Sequence, residues 1–157
     1  MAIKQHLIVA LSETGKRNQN EDFIVPESID EATHVYVVCD GVGGNQNGEI
    51  ASKIVGESIA YYLKKKDPFF FQNRIYLDNS LNFAEERLSE YIETHPESKG
   101  MASTVACVEF VGKKAMGYWV GDTKIYQIRD GKTVLESTDH PSSQQLKHHP
   151  PRPEPHD

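Results

Sequence analysis

Polar and apolar residues follow three different rhythms along this chain. Leu7–Leu11 is a compact apolar run and predicts a strand, and polar Ser12–Asp22 follows it. Phe23–Val25 predicts a short strand closed by Pro26, and His34–Cys39 a buried strand that stops at Asp40. From Gly48 the spacing changes to threes and fours. Ile50, Ala51, Ile54, Val55, Ile59, Tyr62 and Leu63 share one face of a helix predicted over Ile50–Lys66, whose last turn carries Lys64–Lys66. Past Asp67-Pro68, a second helix is predicted over Ile75–Glu93, with Leu77, Leu81, Ala84, Leu88, Tyr91 and Ile92 on its apolar side. The rhythm then returns to period two. Ser103–Val111, Ala115–Val120, Lys124–Ile128 and Thr133–Glu136 predict a strand meander, turned at Gly112-Lys113 and Asp130-Gly131. Strands, two helices and more strands predict an α+β domain, with the helices side by side on one face of an antiparallel sheet.

The segment from Pro141 breaks every rhythm. It holds five of the eight prolines and no aromatic residue, so it predicts a disordered tail, residues 141–157, behind a domain spanning 1–140. Its His148-His149 pair reads as incidental. A chain of 157 residues with 38% hydrophobic and 25% charged residues suits one globular domain. The net charge of −6 speaks against a nucleic-acid partner, which wants a basic face. Five consecutive apolar residues near the N-terminus are too few to span a membrane or to form a signal-peptide core, so no membrane partner is expected and the cytoplasm is the default location. Cys39 and Cys107 both lie in apolar runs and read as buried, reduced thiols, with a disulfide as the alternative.

Candidate chemistry starts at Val35-Tyr-Val-Val-Cys-Asp-Gly-Val-Gly-Gly44, where a buried strand meets a carboxylate and then three glycines of four. The glycines imply a close approach to the backbone, and Asp40 implies that what approaches is positive. Two nucleotide readings fail. Gly43 and Gly48 have P-loop spacing, but Glu49 stands where the lysine belongs; a dinucleotide fingerprint would need glycine at Gln46. An isolated Asp-Gly is ordinarily a turn. Here it is joined by Arg17-Asn-Gln-Asn-Glu21-Asp22 upstream and Gly121-Asp122-Thr123 downstream. Carboxylates, a carbonyl freed by glycine and one arginine together suit a hard divalent cation beside a phosphate.

In this order the motifs resemble the metal-dependent protein serine/threonine phosphatase family of type 2C, in its compact bacterial form. They are Arg17 with Glu21-Asp22, Asp40-Gly41-Val42-Gly43-Gly44 with Gly48-Glu49-Ile50-Ala51-Ser52, Met101-Ala102-Ser103-Thr104-Val105, Gly121-Asp122-Thr123 with Tyr126–Gly131, and Thr138-Asp139-His140, so the resemblance spans residues 5–140. It implies an antiparallel β-sandwich flanked by helices in α-β-β-α layers, incomplete on its C-terminal side. It implies Mn2+ or Mg2+ as cofactor, two ions in the intact family site. By the same resemblance Asp40 bridges the pair, Glu21 and the Gly41 carbonyl serve one ion, and Asp122 serves a looser extra site. Asp22 orients the attacking water, and Arg17 grips the phosphate. Val42 stands where some members carry a histidine proposed as general acid.

The family's domain supplies two further aspartates past the Tyr126–Gly131 hairpin, and neither Asp139 nor Asp157 sits in a matching motif. One weak cation site is therefore expected here, with weak or absent turnover of phosphoserine and phosphothreonine in protein substrates. Two alternatives stand beside this reading: an inactive phosphatase-like module that binds a phosphoprotein or regulator, and a change of reading frame soon after His140. Self-association through exposed strand edges is a further expectation.

Overall fold

The computed structural model describes residues 8–27, 34–43, 47–65 and 74–139. Four antiparallel strands make the main sheet: β1 (Asp22–Val25), β2 (Val35–Val42), β4 (Val105–Val111) and β5 (Lys114–Val120), in the order β1-β2-β4-β5. A two-residue strand, β3 (Ala102–Ser103), also pairs with β2, opposite Val42 and Gly41. The register sets Val25 against Val37, Val37 against Cys107 and Cys107 against Tyr118. Alternation then carries Val35, Cys39, Val105 and Glu109 to that same face.

Helix α1 (Asn47–Lys64) lies on this face, and α2 (Arg74–Thr94) packs beside α1, as the two apolar stripes predict. Val55, Ile59, Leu63 and Leu88 are wholly buried in the joint, each worth roughly 2 kcal/mol relative to exposure. The α2 end of the joint is fixed by polar contacts: the Tyr76 hydroxyl donates to the Tyr62 carbonyl at 2.9 Å, and the Ser80 and Tyr118 hydroxyls meet at 3.2 Å. Cys39 and Cys107 are buried and unbridged, and burial pushes both thiols well up, Cys107 to about 12. They are core residues, as their apolar runs imply. No described helix is long and apolar enough to cross a membrane.

The α+β class and the helix and strand set are as expected, with four differences. Residues 8–11 form no strand; Val9 and Leu11 are about three-quarters exposed, because no described strand lies beside them to supply a ladder. Strand β2 runs through Asp40 to Val42, so the acidic residue lies within the ladder instead of ending it. The predicted strand Ser103–Val111 is interrupted at Thr104, between β3 and β4. The meander is two hairpins. After Gly121 the chain leaves the sheet, and among the described residues β6 (Tyr126–Arg129) pairs only with β7 (Lys132–Glu136), around a turn with positive φ at Asp130 and Gly131 that suits this Asp-Gly pair. Of the expected layering, the described residues contain the helix pair, the five-stranded sheet and this separate hairpin; the sheet's far face leaves Val38 and Val42 partly exposed. The segment from Pro141 lies outside the described residues.

Candidate metal and phosphate centre

The β1–β2 ladder gathers the acidic residues. Asp22 and Asp40 are direct partners across it, and the Gly41 amide donates to the Glu21 carbonyl at 3.0 Å just beyond. The Asn20 side chain caps the approach to β1, accepting the Asp22 amide at 3.0 Å and donating to the Ser12 hydroxyl at 2.7 Å. Asp40 is half-buried between neighbours of its own sign. Burial first, then Asp22, Asp122 and Glu21, push its carboxyl above the ordinary range, and among the described residues the Arg17 guanidinium pulls the other way. A divalent cation would offset that crowding, which is the first sign that the donor set fits one.

The second sign is a cradle at the start of α1. A Cβ on Gly48 would lie 2.5 Å from Glu21 Oε1 and 3.1 Å from the Gly41 carbonyl oxygen, so both oxygens flank one point that glycine leaves open. Glu21, Asp40 and the Gly41 carbonyl thus offer oxygen donors of the kind a hard divalent cation takes. Among the described residues no three His, Cys, Asp or Glu side chains form a group that could hold an ion by themselves.

Gly41 itself is glycine for another reason than a ligand's approach. A Cβ there would fall 1.8 Å from the Gly48 carbonyl oxygen, so the first turn of α1 is what presses on the strand. The close approach expected from the glycine run is real, and the fold's own helix makes it.

Arg17 is mostly exposed, with Nη1 3.5 Å from Glu21 Oε2, so the guanidinium stands at the edge of the acidic group and open to solvent. Asp122 is exposed in the turn after Gly121 and close enough to raise Asp40. Asp139 is drawn elsewhere: Lys124 Nζ meets its carboxylate at 2.5 Å and also donates to the Ser137 carbonyl at 3.0 Å. The six candidates expected from the sequence, Arg17, Glu21, Asp22, Asp40, Gly41 and Asp122, stand together at one end of β2. The sequence gives no role to Thr104, whose hydroxyl accepts the Asp40 amide at 3.0 Å and meets the Thr123 hydroxyl at 2.5 Å. Its signals in the sequence are its place in the Met101–Val105 motif of the resemblance and a pair of hydroxyl residues, Ser103-Thr104, at the head of an apolar strand.

Comparison with known proteins gives a consistent result. The model of the family described as protein phosphatase 2C matches residues 12–146. A relative from Mycoplasma genitalium, assigned provisionally as a protein phosphatase, is 29% identical over 156 residues, covering 92% of this chain and 58% of that protein. A 2C-type relative from Streptococcus pyogenes, assigned in the same provisional way, is 29% identical over 80% of this chain and 51% of its own length. Among solved structures, a bacterial serine phosphatase variant superposes with a TM-score of 0.74 at 27% identity, over 88% of this chain and 64% of that one. The catalytic domain of the Mycobacterium tuberculosis serine/threonine phosphatase PstP, solved with two manganese ions, gives 0.67 at 25% identity, over 82% and 53%. The chain spans a little over half the length of the curated relatives named here.

Proposed function

The chain belongs to the protein phosphatase 2C family, and from that premise we propose that its acidic strand end serves metal-dependent hydrolysis of phosphoserine and phosphothreonine in proteins. The observation that carries the reading is the crowding of Asp22, Glu21 and Asp122 around Asp40, opposed by Arg17. Glu21, Asp40 and the Gly41 carbonyl are the donors for Mn2+ or Mg2+, both of which take oxygen ligands. When bound, such an ion lowers the pKa of water and offsets the charge of a phosphoryl group.

The remaining work falls to the chain's own groups. Arg17 reaches out from the acidic edge and can hold two phosphate oxygens with its planar fork, which a lysine does less well. Asp22, directly across the ladder from Asp40, accepts hydrogen bonds and so orients water facing the phosphorus. Val42 offers no proton, so the leaving oxygen takes its proton from solvent. Asp122 lies in a separate, exposed turn and tunes the field at Asp40 more than it builds the donor set.

The test is turnover of a phosphoserine peptide with and without added Mn2+. The reading expects turnover that depends on the ion and is lost in Asp40→Asn. Turnover unaffected by chelation, or preserved in Asp40→Asn, contradicts it. One observation favours a second reading, a module that binds a phosphoprotein without cleaving it: among the described residues no three acidic, His or Cys side chains form a ready group for an ion, yet Arg17 stands open to solvent. Phosphopeptide binding that needs Arg17 and proceeds without Mn2+ or turnover distinguishes it.

A further inference from the structure

We propose that Thr104 is a positioning residue, whose hydroxyl fixes the backbone of Asp40 and locks it to the Gly121–Thr123 turn, so that Asp40 and the Asp122 loop are placed as one unit. The proposal rests on the reading of Asp40 as a cation ligand. Its grounds lie in how the ladder is broken. Thr104 donates its amide to the Asp40 carbonyl at 2.9 Å, as an antiparallel pair should. The return bond is different: the Asp40 amide donates to Thr104 Oγ1 at 3.0 Å, and the Thr104 carbonyl instead accepts the Ser103 hydroxyl at 2.8 Å. A side chain thus replaces main chain at the residue that carries the central carboxylate, which is why β3 and β4 are separate strands.

The same oxygen faces the second loop. Thr104 Oγ1 and Thr123 Oγ1 meet at 2.5 Å, while the Asp40 carbonyl is farther, at 3.4 Å. Oγ1 accepts from the Asp40 amide, and a hydroxyl can accept once and donate once, so the contact with Thr123 is open to it with either hydroxyl as donor. The methyl side of Thr104 is engaged as well. Gly121 has φ +94°, and a Cβ there would lie 2.7 Å from Thr104 Cγ2, so the turn sits directly on the threonine. Thr104 is 1% exposed, and water does not compete for these contacts. One buried side chain therefore touches Asp40 on one side and both neighbours of Asp122 on the other. A serine keeps the hydroxyl; a valine keeps the shape and leaves the Asp40 amide without its acceptor.

The experiment uses Thr104→Val, Thr104→Ser and Thr123→Val in the full chain, with two readouts. The first is binding of Mn2+ alone, followed by water proton relaxation. Loss of partners behind a metal ligand typically weakens the metal by about 10- to 100-fold. Thr104→Val is expected to weaken Mn2+ at least about tenfold, and Thr104→Ser to restore it to within about threefold. The second readout needs no metal: the amide resonances of Asp40 and of Gly121–Thr123. Thr104→Val should shift both sets, whereas Thr104→Ser, which keeps the hydroxyl and loses only the methyl against Gly121, should leave the Asp40 amide in place. Thr123→Val, which spares the bond to Asp40 and serves if Thr104→Val fails to fold, should still shift the Asp40 amide. Wild-type Mn2+ affinity in a folded Thr104→Val overturns the proposal, as do Gly121–Thr123 amides that stay in place while Asp40 moves. A wild type that binds no Mn2+ but shows the coupled amide shifts supports the coupling and removes the cation reading alone.

Discussion

Among the described residues two carboxyls are held above their ordinary range, Asp40 and Glu109, and burial is the first cause for both. They differ in what surrounds them. Asp40 lies at the strand end among Asp22, Asp122 and Glu21, with Arg17 at the edge. Glu109 lies two residues beyond Cys107 on the helix-covered face, fully buried, and neither of its oxygens has a hydrogen-bond partner among the described residues. Its register partners are Val35 and Met116, and Tyr76 of α2 and Cys107 of its own strand are titratable groups near it among the described residues. Burial pushes Glu109 up to about 7. The contrast separates two kinds of stored cost: a cation relieves the first, whereas only a proton relieves the second.

The largest expected effect is at Asp40. Asp40→Asn removes the shared donor and should abolish saturable Mn2+ binding, measured by water proton relaxation. It should also stabilise the metal-free chain at neutral pH. The native carboxyl holds its proton more tightly than the unfolded one, so stability falls as pH rises from the ordinary value of 3.8, and an amide removes that loss. A melt at pH 7.5 that drops in Asp40→Asn breaks this side of the comparison.

Glu109→Leu sharpens the other side. Between the ordinary 4.5 and about 7 the unfolded chain releases this proton while the folded chain keeps it. The destabilisation grows across that window and is complete above it. Leucine should therefore raise stability by about 3 kcal/mol at pH 8 and by much less at pH 4. Denaturant melts at the two pH values check it, and an equal gain at both would mean that the carboxyl is not kept neutral by burial.

A smaller effect is expected at Gly48. Alanine favours the helix by up to about 1 kcal/mol, yet its Cβ would displace the Glu21 carboxylate, which has a flexible stem and can yield. Gly48→Ala should melt no lower than the parent while binding Mn2+ about tenfold more weakly. The smallest effect is at Asp122: Asp122→Asn should leave Mn2+ affinity nearly unchanged, because this residue acts on Asp40 through space from an exposed turn.

The same contrast shows what could be read in advance. The helices and hairpins were legible because their apolar stripes and turn residues are local signals, and both core cysteines sat in plain apolar runs. The acidic residues stood out by type and order. The break at Thr104 did not, because a hydroxyl that takes over a ladder bond leaves no trace in a pattern of polar and apolar positions. The reason for Gly41 was hidden likewise, since a clash with Gly48 exists only once the helix is placed. Glu109 was visible in principle: Val105, Cys107, Glu109 and Val111 alternate onto one face, and a carboxylate in that row is an anomaly. The apolar run before Ser12 misled, because a strand signal cannot say whether a neighbour is present.

The central claim is that the strand end around Asp40 is a cation site of few donors. Titration of the wild-type chain with Mn2+, followed by calorimetry, tests it most directly. Glu21, Asp40 and one carbonyl predict a single site of about millimolar affinity, on the scale of low-charge oxygen sites, and no heat above dilution in Asp40→Asn. Two tight sites, or a single site that survives Asp40→Asn, would contradict it.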